Sequence, residues 1–174
     1  LLAEICSRGI AASLGALEEA LAAGPAPATR LELLARRFVG AVIENQKAIA
    51  IFAREEKNLL PQDFERISAM RRTFDRRLSA LLDEGVAAGD FRIEDPLLTS
   101  LAIGGLVSWA YVWYRPHGRL TPAELGDGIA RLVLAMVQAG PDDEPAAQRL
   151  LGAPKPRAAA EARRGAARPG AARR

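Results

Sequence analysis

Cysteine and histidine are almost missing from this 174-residue sequence, which has one of each, Cys6 and His117. One cysteine cannot close an internal disulfide and, with one histidine, cannot build a structural zinc site, so neither an oxidising compartment nor a metal-held fold is indicated. Aromatic residues are only 5% of the chain while hydrophobic residues are 49%, a balance rich in Ala and Leu that favours helices over a β-sandwich. Strand signals are nearly absent. Catalytic patterns are missing too: there is no HExxH, no CxxC, no glycine-rich loop after a strand, and His117 sits in a Pro/Gly turn without a Ser or Asp neighbourhood that would form a triad. Adjacent acids such as Glu18/Glu19 and Glu55/Glu56 point about 100° apart on a helix and cannot share a metal or a proton. The expectation is a non-enzymatic protein with no metal and no cofactor.

What the chain does have is uneven charge. The net value of +3 hides a C-terminal stretch, 155–174, in which seven basic residues stand against Glu161 alone. The remaining 17 basic and 20 acidic residues make the body mildly acidic. No signal peptide is visible at the N-terminus, and a cytoplasmic protein is expected.

Apolar spacing divides residues 1–140 into helices. Leu2, Ile5, Ile10, Leu14, Leu17 and Leu21 mark the first, closed by Gly24 and Pro25. Leu31, Leu34, Phe38, Val42, Asn45, Ile49 and Phe52 share one face of a long pattern from Thr29 to about Asn58, with room for one break. Asn45 is polar in the middle of that stripe. It is read either as a structural hydrogen bond to nearby backbone or as a polar contact in a ligand pocket. A third helix, from Pro61 to Ala88 and closed by Gly85 and Gly89, buries Ile67, Met70, Phe74, Leu78, Leu81 and Leu82. Its other faces carry Arg66, Arg71, Arg72, Arg76 and Arg77, read first as a solvated face with i,i+4 pairs, since the acidic body argues against a groove for nucleic acid.

The chain is organised around the stretch from Asp95 to Glu124. Asp95 and Pro96 form a helix start. The next 18 residues, Leu97 to Tyr114, carry no charge. This run sits at the lower limit for a membrane span, but Thr99, Ser100, Gly104, Gly105 and Ser108 and the amphipathic flanking helices argue for a covered helix of a bundle, with no membrane. Its stripe of Leu98, Leu101, Gly105, Ser108 and Val112 has a small middle that suits close helix packing. The stripe of Ala102, Leu106, Trp109 and Trp113 is large enough to wall a cavity. Pro116 and Gly118 turn the chain, and Thr121, Pro122 and Glu124 form a capping box for a last helix with Leu125, Ile129, Leu132, Val133, Met136 and Val137 on one face. Gly140 and Pro141 end it. Beyond lies a Pro/Ala/Arg-rich basic tail, 141–174, without apolar periodicity and expected to be disordered.

The tract Trp109, Trp113, Tyr114, Arg115, Pro116, Gly118, Arg119, Leu120, Thr121, Pro122 and Glu124 resembles the corresponding tract of the TetR/AcrR family of bacterial transcriptional regulators, most closely members that sense acyl-CoA thioesters in fatty-acid or sterol catabolism. The resemblance covers roughly Leu1 to Ala139, the family's C-terminal ligand-binding and dimerisation domain. It implies an all-α antiparallel bundle of about five to six helices over 1–140, working as a homodimer with an apolar effector such as an acyl-CoA in its core. The implied ligand-binding residues are Phe38, Val42, Asn45, Phe52, Phe74, Leu78, Trp109 and Trp113. The implied dimer interface, from the last two helices, is Gly104, Gly105, Ser108, Ile129, Leu132, Val133 and Met136. The arginines of the Pro61–Ala88 helix gain a second reading as partners of CoA phosphates at a pocket mouth.

In this family the first helix links the ligand domain to the DNA-reading head, so its movement would carry the signal. That N-terminal helix-turn-helix has no counterpart in the sequence. A chain beginning at Leu1 reads as a piece of a longer protein, with contact to DNA only through a head encoded upstream. The alternative is a stand-alone ligand-binding and dimerisation module without DNA-binding activity.

Overall fold

The computed structural model describes residues 1–138, which fold as an all-α bundle without a strand among them. Six helices longer than one turn and one single-turn helix follow in order: α1 (Leu2–Leu21), α2 (Pro27–Glu44), α3 (Gln46–Glu55), a 3-10 turn (Glu56–Asn58), α4 (Pro61–Ala87), α5 (Pro96–Ser108), α6 (Ala110–Trp113) and α7 (Pro122–Gln138). The expected tail, 141–174, and the Gly140/Pro141 stop lie outside the described residues.

The helix starts follow the local chemistry. Asp95 accepts the Leu98 N–H at 2.9 Å while Pro96 opens α5. At α7 the capping box closes both ways: the Thr121 N–H donates to Glu124 at 2.8 Å, and the Glu124 N–H donates to the Thr121 hydroxyl at 3.2 Å. The Thr121 N–H and the Thr121 hydroxyl, which also donates to Glu124 at 2.8 Å, hold the Glu124 carboxyl below its usual range. α2 and α4 each begin on a proline after an extended residue.

Three boundaries differ from the periodicity. The long second pattern starts at Pro27 and breaks at Asn45, whose φ of −107° and ψ of 18° leave the α region. The Asn45 amide donates to the Ala41 carbonyl at 2.9 Å, capping the end of α2. Gly85 lies inside α4, not at its end, and Gly89 closes the helix at φ +80°. The uncharged helix from Leu97 is interrupted at Trp109, so its last turn is a separate α6. That interruption falls within Pro96–Trp113, the one run among the described residues long and apolar enough by composition to cross a bilayer.

The core is continuous. α7 lies along α2, and α2 packs on α1; Leu17, Leu31, Leu34, Leu78, Leu81, Leu82, Ile103, Val107 and Val133 are buried between the helices. Phe38 and Phe74 meet with ring centroids 4.8 Å apart, in a tilted pair. A smaller cluster of Cys6, Phe52 and Ile67 sits under the start of α1. Burial there, with Glu55 adding to it, pushes the Cys6 thiol above its ordinary value, which favours the neutral thiol in this packed cluster. The two buried serines are satisfied by their own helices: Ser13 donates to the Gly9 carbonyl at 2.9 Å and Ser100 to the Leu97 carbonyl at 2.8 Å.

A candidate ligand cavity and an outward apolar face

Between α1, the α2–α3 pair, α4 and α5 lies a cavity of about 440 Å³. This is within the usual size of a small-molecule site. α1 contributes Gly9, Ile10 and Ser13, α2 contributes Phe38 and Val42, and α3 contributes Ile49, Phe52 and Ala53. The opposite wall is Phe74 of α4 with Leu101, Gly104, Gly105 and Ser108 of α5 and Tyr111 of α6. Gly9 is where α1 approaches α3 most tightly: a Cβ there would stand 2.6 Å from Ile49 Cγ1. At Gly104 and Gly105 an added Cβ would meet nothing within 4 Å, so the missing side chains leave open space.

Of the residues expected to bind ligand, the structure brings Phe38, Val42, Phe52 and Phe74 together in this wall. It does not bring the others there. Leu78 is fully enclosed by the core, and Asn45 is spent on the α2 end. Trp109 and Trp113 are 60% and 44% exposed, and neither lines the cavity. The two stripes of this helix are thus split: Leu101, Gly105 and Ser108 of the small one line the cavity, Leu98 and Val112 are exposed with Ala102, Trp109 and Trp113 of the large one, and Leu106 packs partly buried against the core. The buried register is a third stripe, Ser100, Ile103, Val107 and Ala110. An uncharged helix carries no polar residue to mark its solvent side, so periodicity alone leaves its rotation undetermined.

The expected interface residues divide in the same way. Ile129 and Val133, 5% and 0% exposed, are held in the core and cannot touch another subunit without unpacking it. Gly104, Gly105 and Ser108 line the cavity. Leu132 and Met136 are exposed, as are Leu98, Ala102 and Trp109 along the length of α5. These side chains are apolar and exposed on two helices that touch each other. Exposed apolar surface on this scale is the usual mark of an interaction site.

Residues 24–137 match the model of the tetracyclin repressor-like C-terminal domain. The chain belongs to the TetR family. The match runs from the loop after α1 to the end of α7, so it takes in every wall of the cavity except α1. Among solved structures, the TetR family regulator PfmR of Thermus thermophilus is 26% identical with a TM-score of 0.70, over 76% of this chain and 72% of that one. A TetR family regulatory protein of Rhodococcus is 25% identical with a TM-score of 0.72, over 80% of this chain and 73% of that one. AibR, solved in complex with isovaleryl coenzyme A and operator DNA, shares the fold at 23% identity and a TM-score of 0.65, over 75% of this chain and 71% of that one. No curated protein matches the sequence.

The cavity has a polar end, of which the sequence reading offered only the α4 arginines, undivided, as partners of CoA phosphates at a pocket mouth. It is made by Glu56 of the 3-10 turn and by Arg71 and Asp75 of α4. The Arg71 guanidinium lies over the Phe52 ring, 4.2 Å from its centroid. One turn on, burial pushes the Asp75 carboxyl above its ordinary value, and the nearby Arg71 charge only partly offsets this. The spacing of Arg71 and Asp75, i and i+4, was legible; that both line the cavity was not, because they share the helix with four further arginines that do not. Gln46 was likewise missed. It donates from its side-chain amide to the Tyr111 and Tyr114 carbonyls at 3.3 and 3.1 Å, closing the free end of α6.

A raised carboxyl has a defined consequence for stability. Asp75 binds its proton more tightly folded than unfolded, so its ionised form costs stability at any pH above the folded-state value, and the cost disappears as pH falls below the ordinary carboxylate range. Asp75→Asn should therefore raise the urea midpoint at about pH 7, with the gain shrinking to nothing below about pH 4. A variant less stable than the parent at neutral pH would mean that the Arg71 attraction outweighs the burial.

Proposed function

We propose that this chain is the ligand-sensing and dimerisation part of a TetR-type transcriptional regulator. An apolar small molecule occupies the cavity between α1 and α3–α5, an acyl-CoA being the first candidate. Its presence controls operator binding by a helix-turn-helix that precedes Leu1, and the regulator works in the cytoplasm as a homodimer. The observation that carries this reading is the α1 wall: Gly9, Ile10 and Ser13 belong both to the cavity and to the helix that would lead to a DNA-reading head. A ligand of fitting size then contacts the one element that can pass on a displacement, and binding shifts the equilibrium only if the ligand prefers one placement of α1. The AibR complex with isovaleryl coenzyme A and operator DNA is the motive for naming a thioester first.

The homodimer is placed on the outward α5–α7 face, with Leu98, Ala102, Trp109, Leu132 and Met136 meeting their symmetry mates across a two-fold axis. Native mass spectrometry of the purified chain tests both parts at once. The expected spectrum is a dimer that retains a small molecule, released on denaturation and identified as lipid or acyl-CoA. A bare monomer that takes up neither a fatty acid nor an acyl-CoA added to it would overturn the proposal.

A further inference from the structure

The polar end of the cavity holds one cation that no ion pair occupies among the described residues. Three charged side chains reach it, Glu56, Arg71 and Asp75, and Tyr111 is the remaining titratable group in the wall. α1, α2 and α5 present only Gly, Ser and apolar residues there. Glu56 on the 3-10 turn and Arg71 are both exposed, so water screens the one as it does the other. Asp75 is half-buried, and that burial raises its carboxyl above its ordinary value while the Arg71 charge partly offsets it. A guanidinium cannot lose its charge at all. On α4, Arg66, Arg72 and Arg77 form ion pairs with Asp63, Glu65 and Glu18, and Arg76 donates to the Thr73 hydroxyl at 3.4 Å. Arg71 has no ion-pair partner among the described residues, and its stem and plane are steadied on Phe52.

Resting on the cavity reading above, we propose that Arg71 binds an oxyanion on the ligand, so that the effector is an apolar chain carrying a carboxylate or phosphate at the α4 end. The apolar part lies against Phe38, Val42 and Phe74, and the planar guanidinium offers paired donors of the geometry that carboxylate and phosphate oxygens accept. Arg72 and Arg76 lie in an adjoining groove that also includes Asp75 and Thr73, where a longer phosphate-bearing group would continue.

Isothermal titration of the full chain with octanoate, octan-1-ol, octylammonium and octanoyl-CoA tests this. Arg71→Met keeps an apolar stem over Phe52 and drops the charge; Arg71→Lys keeps the charge. At least one of octanoate and octanoyl-CoA should lose about tenfold or more in affinity in Arg71→Met, in keeping with the worth of a charged hydrogen bond, and regain part of it in Arg71→Lys. Octan-1-ol should bind all three proteins alike. The anion that responds identifies the source, carboxylate for octanoate and phosphate for the thioester alone. Anion binding that ignores Arg71→Met, or octylammonium as the tightest probe, overturns the assignment while leaving the cavity reading in place. Absence of binding by all four probes removes the cavity reading and this assignment with it.

Discussion

Leu132→Glu should convert the dimer into a folded monomer. Leu132 is 56% exposed in the single subunit, so a carboxylate there stays in water and the fold should hold. In the proposed dimer the same position is covered and occurs twice, because a two-fold contact repeats every substitution. Each leucine lost removes on the order of 2 kcal/mol of apolar burial, and each new charge loses water without gaining a partner. Together these amount to roughly 4 kcal/mol or more, which is about a thousandfold in the dimer dissociation constant. Sedimentation at micromolar concentration reads the mass, and circular dichroism checks that helix content is kept. A Leu132→Glu protein that remains a dimer would mean the α5–α7 face is not the interface. Trp109→Ala should weaken the dimer in the same direction while changing affinity for a cavity ligand far less, since Trp109 does not line the cavity and meets it only through the edge of the Tyr111 ring.

How much of this was readable beforehand follows from where polar residues happen to stand. The start of α7 was legible because Thr121, Pro122 and Glu124 fix it, and the charges Asp127 and Arg131 mark which side cannot be core, but the spacing did not separate the core residues Ile129 and Val133 from the exposed Leu132 and Met136. α4 was legible because its arginines flank a single apolar stripe. The α5–α6 run was not, since none of its 18 residues is charged and nothing in the spacing distinguishes core, cavity and outer faces. The tryptophans were placed in the cavity because large aromatics ordinarily seek cover. In one subunit they are left uncovered, which is the condition a second subunit would relieve. The cavity's polar end was hidden for the opposite reason: five arginines stand close together on α4, and only their tertiary neighbours separate Arg71 from the rest. Contacts distant in the chain, such as Gln46 closing α6 or Gly9 against Ile49, leave no local signal.

Gly85→Ala should destabilise the protein by about 3 kcal/mol, reversing the sign that helix propensity alone would give. Inside an exposed helix the same change is worth about 1 kcal/mol of added stability. Here an added Cβ would overlap the Phe91 ring, which is buried against the bare backbone of Gly85. The collision is with ring carbons in a packed core, which have no flexible end to swing aside, so the cost belongs at the upper end for overpacking, about 3 kcal/mol. The ring is also fixed from behind: the Asp90 and Phe91 N–H groups donate to the Gly85 carbonyl at 2.9 and 3.1 Å. Next to it, the Arg92 N–H donates to the Val137 carbonyl at 2.8 Å, tying this turn to the end of α7. Displacing Phe91 therefore strains the helix that carries Leu132 and Met136, and Gly85→Ala should weaken the dimer although it lies off the outward face. Phe91→Leu tests the cause, because in the Gly85→Ala background a smaller side chain should cost less than it does in the parent. Urea midpoints of the two single variants and the double variant give that coupling directly. Simple additivity would show that Gly85 and Phe91 do not act through this contact.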